Sequence, residues 1–192
     1  MELQVHLQGL TGLVMHNARL ADPLDPVTIE LAAMTSKTKK TEDDHRAIAD
    51  LEWRGSLYFD PTIGPYVLAE AIQRSLVNAA GTWRLGPKTW DYVTILDPRI
   101  ALQYDGPRSL DKLAQREENR FRKTIVVNRG SRTIRTRPIF RAWALDFPLT
   151  LESDGLTLAD FRRIIERAGR YHGLGDGRKL GYGRFNAEVI VQ

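Results

Sequence analysis

Five glycines fall between residues 173 and 183, in the run HGLGDGRKLGYGRF that begins at His172. Glycine adopts positive φ without steric penalty and lets neighbouring backbones approach closely, so no regular helix or strand runs through this stretch. What flanks it is regular. Thr157 stands three residues before Asp160, which predicts a helix N-terminus, and Leu158, Phe161, Ile164, Ile165 and Ala168 form one apolar face before Gly169, the expected stop. After the glycines, Phe185, Ala187, Val189 and Val191 alternate with Asn186, Glu188 and Ile190, a strand pattern. The last third therefore reads as capped helix, loop and strand, and the apolar helix face requires a sheet beneath it. With Arg178, Lys179 and Arg184 among the glycines, the loop can turn N–H groups toward an anion while side chains neutralise it. A phosphate-bearing partner is the first expectation.

The rest of the chain bounds that expectation. Its 192 residues, 42% of them hydrophobic, suit one domain with a real core and room for an insertion. The sequence opens on ELQVHLQ without a signal-type apolar segment, and no apolar run is long enough to span a bilayer, so it reads as cytosolic with no membrane partner. The absence of cysteine excludes disulfides, thiolate metal sites and cysteine nucleophiles, and no cofactor is expected. The formal charge is only +4, but nine basic residues against Glu117 and Glu118 give +7 between Arg116 and Arg141, leaving −3 elsewhere. A concentrated positive field on a near-neutral body is the footprint of a polyanion binder. The alternative is a solvated arginine-rich hairpin.

Along the chain, Leu3, Val5 and Leu7 alternate with polar residues in a first strand that continues toward Met15 past Gly9 and Gly12. Residues 19 to 41, with Pro23, Pro26 and the run TSKTKK, read as a long loop insertion holding one short helical turn, and Lys37, Lys39 and Lys40 give it a second basic cluster. Thr41 and Asp44 predict a helix start running to about Leu51, and Leu57 to Phe59 a short strand. The spacing of Leu68, Ile72 and Leu76 predicts a helix over 68–80 ending near Gly81. Short strands are expected between Trp83 and Pro107. Two apolar arms flank Asn128-Arg129-Gly130-Ser131, a hairpin signal, and residues 137–151 read as one long central strand. The sum is an α+β chain, a ferredoxin-like or RNA-recognition-type antiparallel sheet with helices on one face, carrying a loop insertion at about 19–41 and a basic hairpin at about 116–141.

The residues from Leu174 to Phe185, LGDGRKLGYGRF, resemble the glycine-rich loop of the RAMP superfamily of CRISPR-associated proteins, and Gly181 to Arg184 is similar to its backbone subunits. A second similarity is Gly64-Pro65-Tyr66-Val67-Leu68 leading into the 68–80 helix, although Ala69-Glu70-Ala71 departs from the small turn residues of that family. The 116–141 hairpin is similar to the family's protruding thumb. This resemblance implies guide-RNA or other single-stranded RNA binding, with protomers stacking head to tail into a ribonucleoprotein and a role in antiviral defence.

On that reading Arg178, Lys179 and the N–H groups of Gly175, Gly177, Gly181 and Gly183 hold phosphates, and Arg129, Arg132, Arg135 and Arg137 track a backbone along the hairpin. Lys37, Lys39 and Lys40 close the groove. Tyr182 either stacks on a base or packs under the loop. Chemistry is the alternative class: His16 after the first strand, or His172 before the loop, would serve a metal-independent endoribonuclease as general acid or base. Asp22 and Asp25 stand where some RAMP backbone subunits cut target RNA, or they simply initiate turns before their prolines. No metal constellation is visible among the four histidines. A third class is an adaptor whose arginines grip an acidic protein partner.

Overall fold

The computed structural model describes residues 1–126 and 132–192. It is an α+β structure with three antiparallel sheets. Strand β1 (Glu2–Gly9) buries Leu3, Val5 and Leu7, as the alternation predicts. It does not run on to Met15: the chain turns through Gly9 to Gly12, and β2 (Leu13–Val14) belongs to a different sheet.

The segment expected as a loop is largely helical. A 3₁₀ turn at Ala18–Ala21 precedes α1 (Pro26–Ser36). Asp25 caps this helix by accepting from Val27 N at 2.9 Å, and Pro26 occupies the first turn, where its missing N–H costs nothing. The proline that suggests a break instead starts a helix. In α2 (Glu42–Ser56) the Thr41–Asp44 capping box forms as expected, but the helix continues a full turn past Leu51 to bury Trp53 and Glu52.

A small sheet follows, made of β3 (Phe59–Asp60), β4 (Gly64–Leu68) and a later strand. Helix α3 (Ala69–Ala80) buries Ile72, Leu76, Ala79 and Ala80, matching the predicted apolar stripe. Between Trp83 and Pro107 the expected short strands are β5 (Val93–Thr94) and β6 (Arg99–Ala101), but α4 (Gly86–Tyr92) precedes them, again with a proline in its first turn. Helix α5 (Leu110–Ala114) leads into the hairpin of β7 (Arg120–Val126) and β8 (Arg132–Phe140).

The long strand expected over 137–151 is broken. β8 ends at Phe140, and β9 (Ala144–Leu151) begins after Arg141 to Trp143, in another sheet. Trp143 sits at the break, its ring buried, its Nε1 donating to Thr11 O at 2.8 Å and its carbonyl accepting from Gly9 N at 2.8 Å. The bend also resets the alternation, so that Leu145, Phe147 and Leu149 face the core and Asp146 faces out to meet His6 Nδ1 at 2.8 Å.

Helix α6 (Leu158–Arg167) starts at its Thr157 cap and buries Phe161, Ile164 and Ile165. Gly169 does not end it. A π-helical turn over Ala168–His172 carries the chain on to Gly173, whose φ of 69° is the true stop. Gly169 is required for another reason: a Cβ there would lie 2.1 Å from Phe185 O. The chain closes with β10 (Phe185–Val191).

The largest sheet has the order β10-β1-β9-β5, antiparallel throughout, with Val5 opposite both Val189 and Phe147. Its buried face and the apolar faces of α3 and α6 share one core. The hairpin lies outside this sheet, with β2 along β8, and is held to α2 through Trp53 Nε1, which donates to Asn119 O at 2.9 Å. No helix among the described residues is long and apolar enough to cross a membrane.

Candidate nucleic-acid interface

Antiparallel pairing of β7 with β8 places Phe121 opposite Arg137 and Lys123 opposite Arg135. Residues alternate between the faces of a strand, so these four side chains share one face. The glycine loop lies across it. Its position is fixed by Asp176 N donating to Val14 O at 2.7 Å and Gly183 N donating to Gly12 O at 2.9 Å. Between hairpin and loop is a cavity of about 210 Å³, lined by Phe121, Lys123, Arg135, Arg137, Gly177 and Tyr182 among others. A neighbouring cavity of about 220 Å³ has His16, Gly175, Asp176 and Arg178 in its wall. A third joins His16 to Arg135, Arg137 and Glu52.

The structure thus brings together His16, Arg135, Arg137, Gly175, Gly177, Arg178 and Tyr182. Lys40 reaches the other side of the hairpin, where it lines a cavity of about 410 Å³ with His45, Arg122 and Arg135. Lys37 does not join it, because its Nζ is bonded to Asp44 Oδ1 at 2.6 Å. Lys39 and Lys179 are exposed and line none of these cavities. Arg129 lies outside the described residues, and Arg132 enters only as the first residue of β8. Asp22 is a turn residue in geometry, its Oδ1 accepting from Leu24 N at 2.9 Å, and Asp25 is the α1 cap. His172 lies at the root of the loop, apart from His16's cavities.

Two carboxylates without a signal in the sequence organise the arginines. Glu52 is 4% exposed; its Oε1 accepts from Arg135 Nη1 at 2.5 Å and its Oε2 from Thr136 N at 2.9 Å. Asp176, inside the glycine run itself, pairs with Arg137. Part of the +7 is therefore neutralised by carboxylates from outside the segment, since Arg120 also pairs with Asp50. Among the described residues Arg122, Lys123, Arg178 and Lys179 enter no ion pair, so positive charge remains on the cleft from Lys123 and on the neighbouring cavity from Arg178. Phe121 is legible as the apolar member of the β7 alternation between Arg120 and Arg122. Glu52 is not, being one more acid on a charged helix.

The five loop glycines all adopt positive φ, between 69° and 91°. For most of them the reason is packing within the chain. A Cβ on Gly175 would sit 2.3 Å from Val14 O, and one on Gly183 1.9 Å from Leu174 O. Many of the loop's N–H groups are likewise spent on backbone acceptors: Leu180 N bonds Gly177 O at 2.8 Å and Gly181 N bonds Arg178 O at 3.1 Å. The loop thus forms a wall of the cleft in which the amides of Gly181 and Gly183, expected to hold phosphates, are engaged within the chain instead. Tyr182 is half-buried, its ring meeting Phe121 edge-on at 5.1 Å, which leaves it within the cleft but partly committed to packing.

His16 stands at the mouth of two of these cavities. Partial burial, and after it the positive charges of Arg137 and Arg135, lower its pKa below 6.5, with Glu52 opposing. Its ring is therefore neutral at pH 7 and able to accept a proton. Burial, and after it the charge of Arg135, also lowers the pKa of Arg137, with Glu52 opposing. Among the described residues no three His, Asp or Glu side chains come together as a metal site. No protein-family model matches the chain, and no curated protein matches its sequence.

Proposed function

We propose that the chain binds single-stranded RNA, holding the sugar-phosphate backbone in the cleft between the β7–β8 hairpin and the glycine loop. The observation that carries this reading is the convergence of Lys123, Arg135, Arg137, Phe121 and Tyr182 on one cleft, since alternating cations and aromatic faces suit a strand with unpaired bases. The paired arginines fit the role. A guanidinium has five donors, and Glu52 and Asp176 each hold one side of theirs in place, leaving the remaining N–H groups oriented for phosphate. The order β10-β1-β9-β5, with α3 between the first and second of these strands in sequence and α6 between the third and last, supports a ferredoxin-like core. Together with the helix, glycine loop and strand at the end of the chain, it supports placing the protein in the RAMP superfamily, with guide RNA and head-to-tail ribonucleoprotein assembly as that placement's consequences.

The test is the salt dependence of binding to a labelled oligoribonucleotide. Replacing Lys123 and Arg178 with Ala is expected to weaken binding and to flatten the slope of log K against log salt by about 0.7 for each phosphate no longer neutralised. An unchanged affinity and slope would remove the cleft from the site.

The position of His16 favours a second reading, a metal-independent endoribonuclease. There the neutral His16 takes the proton of a 2′-hydroxyl as its oxygen attacks phosphorus, the bond to the 5′-oxygen breaks, and that oxygen is protonated by water. Arg135 and Arg137 stabilise the charge gathering on the phosphoryl oxygens. Incubation of RNA with wild type and His16→Ala decides it: cleavage by the first and not the second supports catalysis, and intact RNA with both leaves binding as the function.

A further inference from the structure

We propose that Arg167, His172, Arg178 and Arg184 form a second site, specific for a phosphate group, at the root of the glycine loop. Backbone bonds gather these residues. Gly173 N donates to Ala168 O at 2.7 Å, which closes the π-helical turn around His172, and Leu174 N donates to Gly183 O at 2.9 Å, which sets that turn beside Arg184. Arg184 Nη2 then donates to Arg178 O at 3.0 Å.

The cluster lacks acceptors. Arg184 Nη1 and Arg167 Nε are both buried without a hydrogen-bond partner. Among the described residues none of Arg167, Arg170, Arg178 and Arg184 enters an ion pair, in contrast to the hairpin arginines with Glu52 and Asp176. His172, half-buried, is acted on by Arg167, Arg184 and Arg178 and by no carboxylate, so after burial their charges hold its pKa below 6.5. Buried polar groups are nearly always partnered, and an orphaned guanidinium N–H signals a missing acceptor. Aromatic rings fix the geometry: Arg167 lies 5.6 Å from the centre of Trp83 and 5.0 Å from that of Tyr171.

A phosphate supplies what is absent, namely several acceptor oxygens and negative charge at guanidinium groups suited to bind it. The chemistry is shared by a terminal phosphate and an internal phosphodiester. The site is distinct from the hairpin cleft, and Arg178 also lines the neighbouring cavity that holds His16.

The experiment follows the His172 ring by NMR while inorganic phosphate is added, against chloride at matched ionic strength. Phosphate is expected to shift the ring signals and raise the His172 pKa, and chloride to do neither. Arg178→Gln keeps the backbone oxygen that Arg184 uses and has an exposed side chain, so it retains the fold; it is expected to weaken the phosphate effect by about tenfold or more. Oligoribonucleotides with and without a 5′-monophosphate separate the sources: a response to the first alone assigns a terminal phosphate, and to both a phosphodiester. Lys123→Ala, which removes a cation of the cleft, is expected to leave the inorganic phosphate response intact, so failure of the RNA-binding proposal and failure of this one are distinguishable. An absent shift, an equal effect of chloride, or loss of the response in Lys123→Ala would overturn the second site.

Discussion

Gly181 and Gly183 share a left-handed backbone and differ in what surrounds them, with φ of 91° and 71°. Alanine at Gly181 would meet nothing within 4 Å. Its cost is the conformational penalty alone, about 1–2 kcal/mol, or a fall in Tm of about 2–8 °C for a chain of this size. Alanine at Gly183 carries the same penalty and also places Cβ 1.9 Å from Leu174 O. Relief of that overlap requires the loop to leave β2, which sacrifices the bonds from Leu174 N to Gly183 O and from Gly183 N to Gly12 O, each 2.9 Å. At about 0.5–1.5 kcal/mol net per bond, the total rises to about 2–5 kcal/mol, a fall of about 4–20 °C. Thermal unfolding of both variants, with RNA affinity measured below the transition, provides the comparison. Gly181→Ala is expected to keep binding and Gly183→Ala to lose it along with stability. Equal falls in Tm, or a larger one for Gly181→Ala, would refute the claim that packing rather than ligand approach requires the loop glycines.

Glu52→Ala leaves Thr136 N without its acceptor and Arg135 without its anchor, and urea unfolding is expected to register a loss of about 1–3 kcal/mol. Tyr182→Leu separates the two roles of that ring: stacking on a base predicts a loss of binding equivalent to about 1–3 kcal/mol, whereas a ring that only packs on Phe121 predicts a change in Tm with unaltered affinity. The hydrogen bond from Lys37, followed by those from Thr41, lowers the Asp44 pKa from 3.8 to about 2. Because the folded value is depressed, the contribution of this carboxylate is complete above the unfolded value and is lost as pH falls from about 4 through about 2. Fraying of the first turn of α2 over that window, followed through the Asp44 amide signal, is expected in wild type and not in Asp44→Asn.

Elements with one strong local signal are legible in the sequence. The capped helices α2 and α6, the stripe of α3, and the alternation in β1 and β10 follow from period and cap chemistry. Helices α1 and α4 escape a reading that takes proline as a breaker, because at the first turn it has no intrahelical bond to lose. The break at Trp143 is hidden because the decisive interaction, its indole on Thr11 O, spans 132 positions. The candidate site is legible in its cations and not in their partners. Charge counting finds the arginines, but Glu52 and Asp176 become their partners only when the hairpin closes on α2 and on the loop.

The placement of β1 in the interior of its sheet also constrains the order in which the molecule can assemble. Its neighbours β9 and β10 arrive late in synthesis, and the hydrogen bond of Arg184 N with Thr11 Oγ1 joins residues 173 positions apart. Leu3, Val5 and Leu7, fully buried at the end, emerge well before β9 and β10 and stay uncovered while the residues between are made. Non-local pairing of this kind slows folding and leaves strand edges open to other chains. This strand, made long before its partners, is thus the natural point for a chaperone to hold, and the point at which overproduced protein is expected to aggregate.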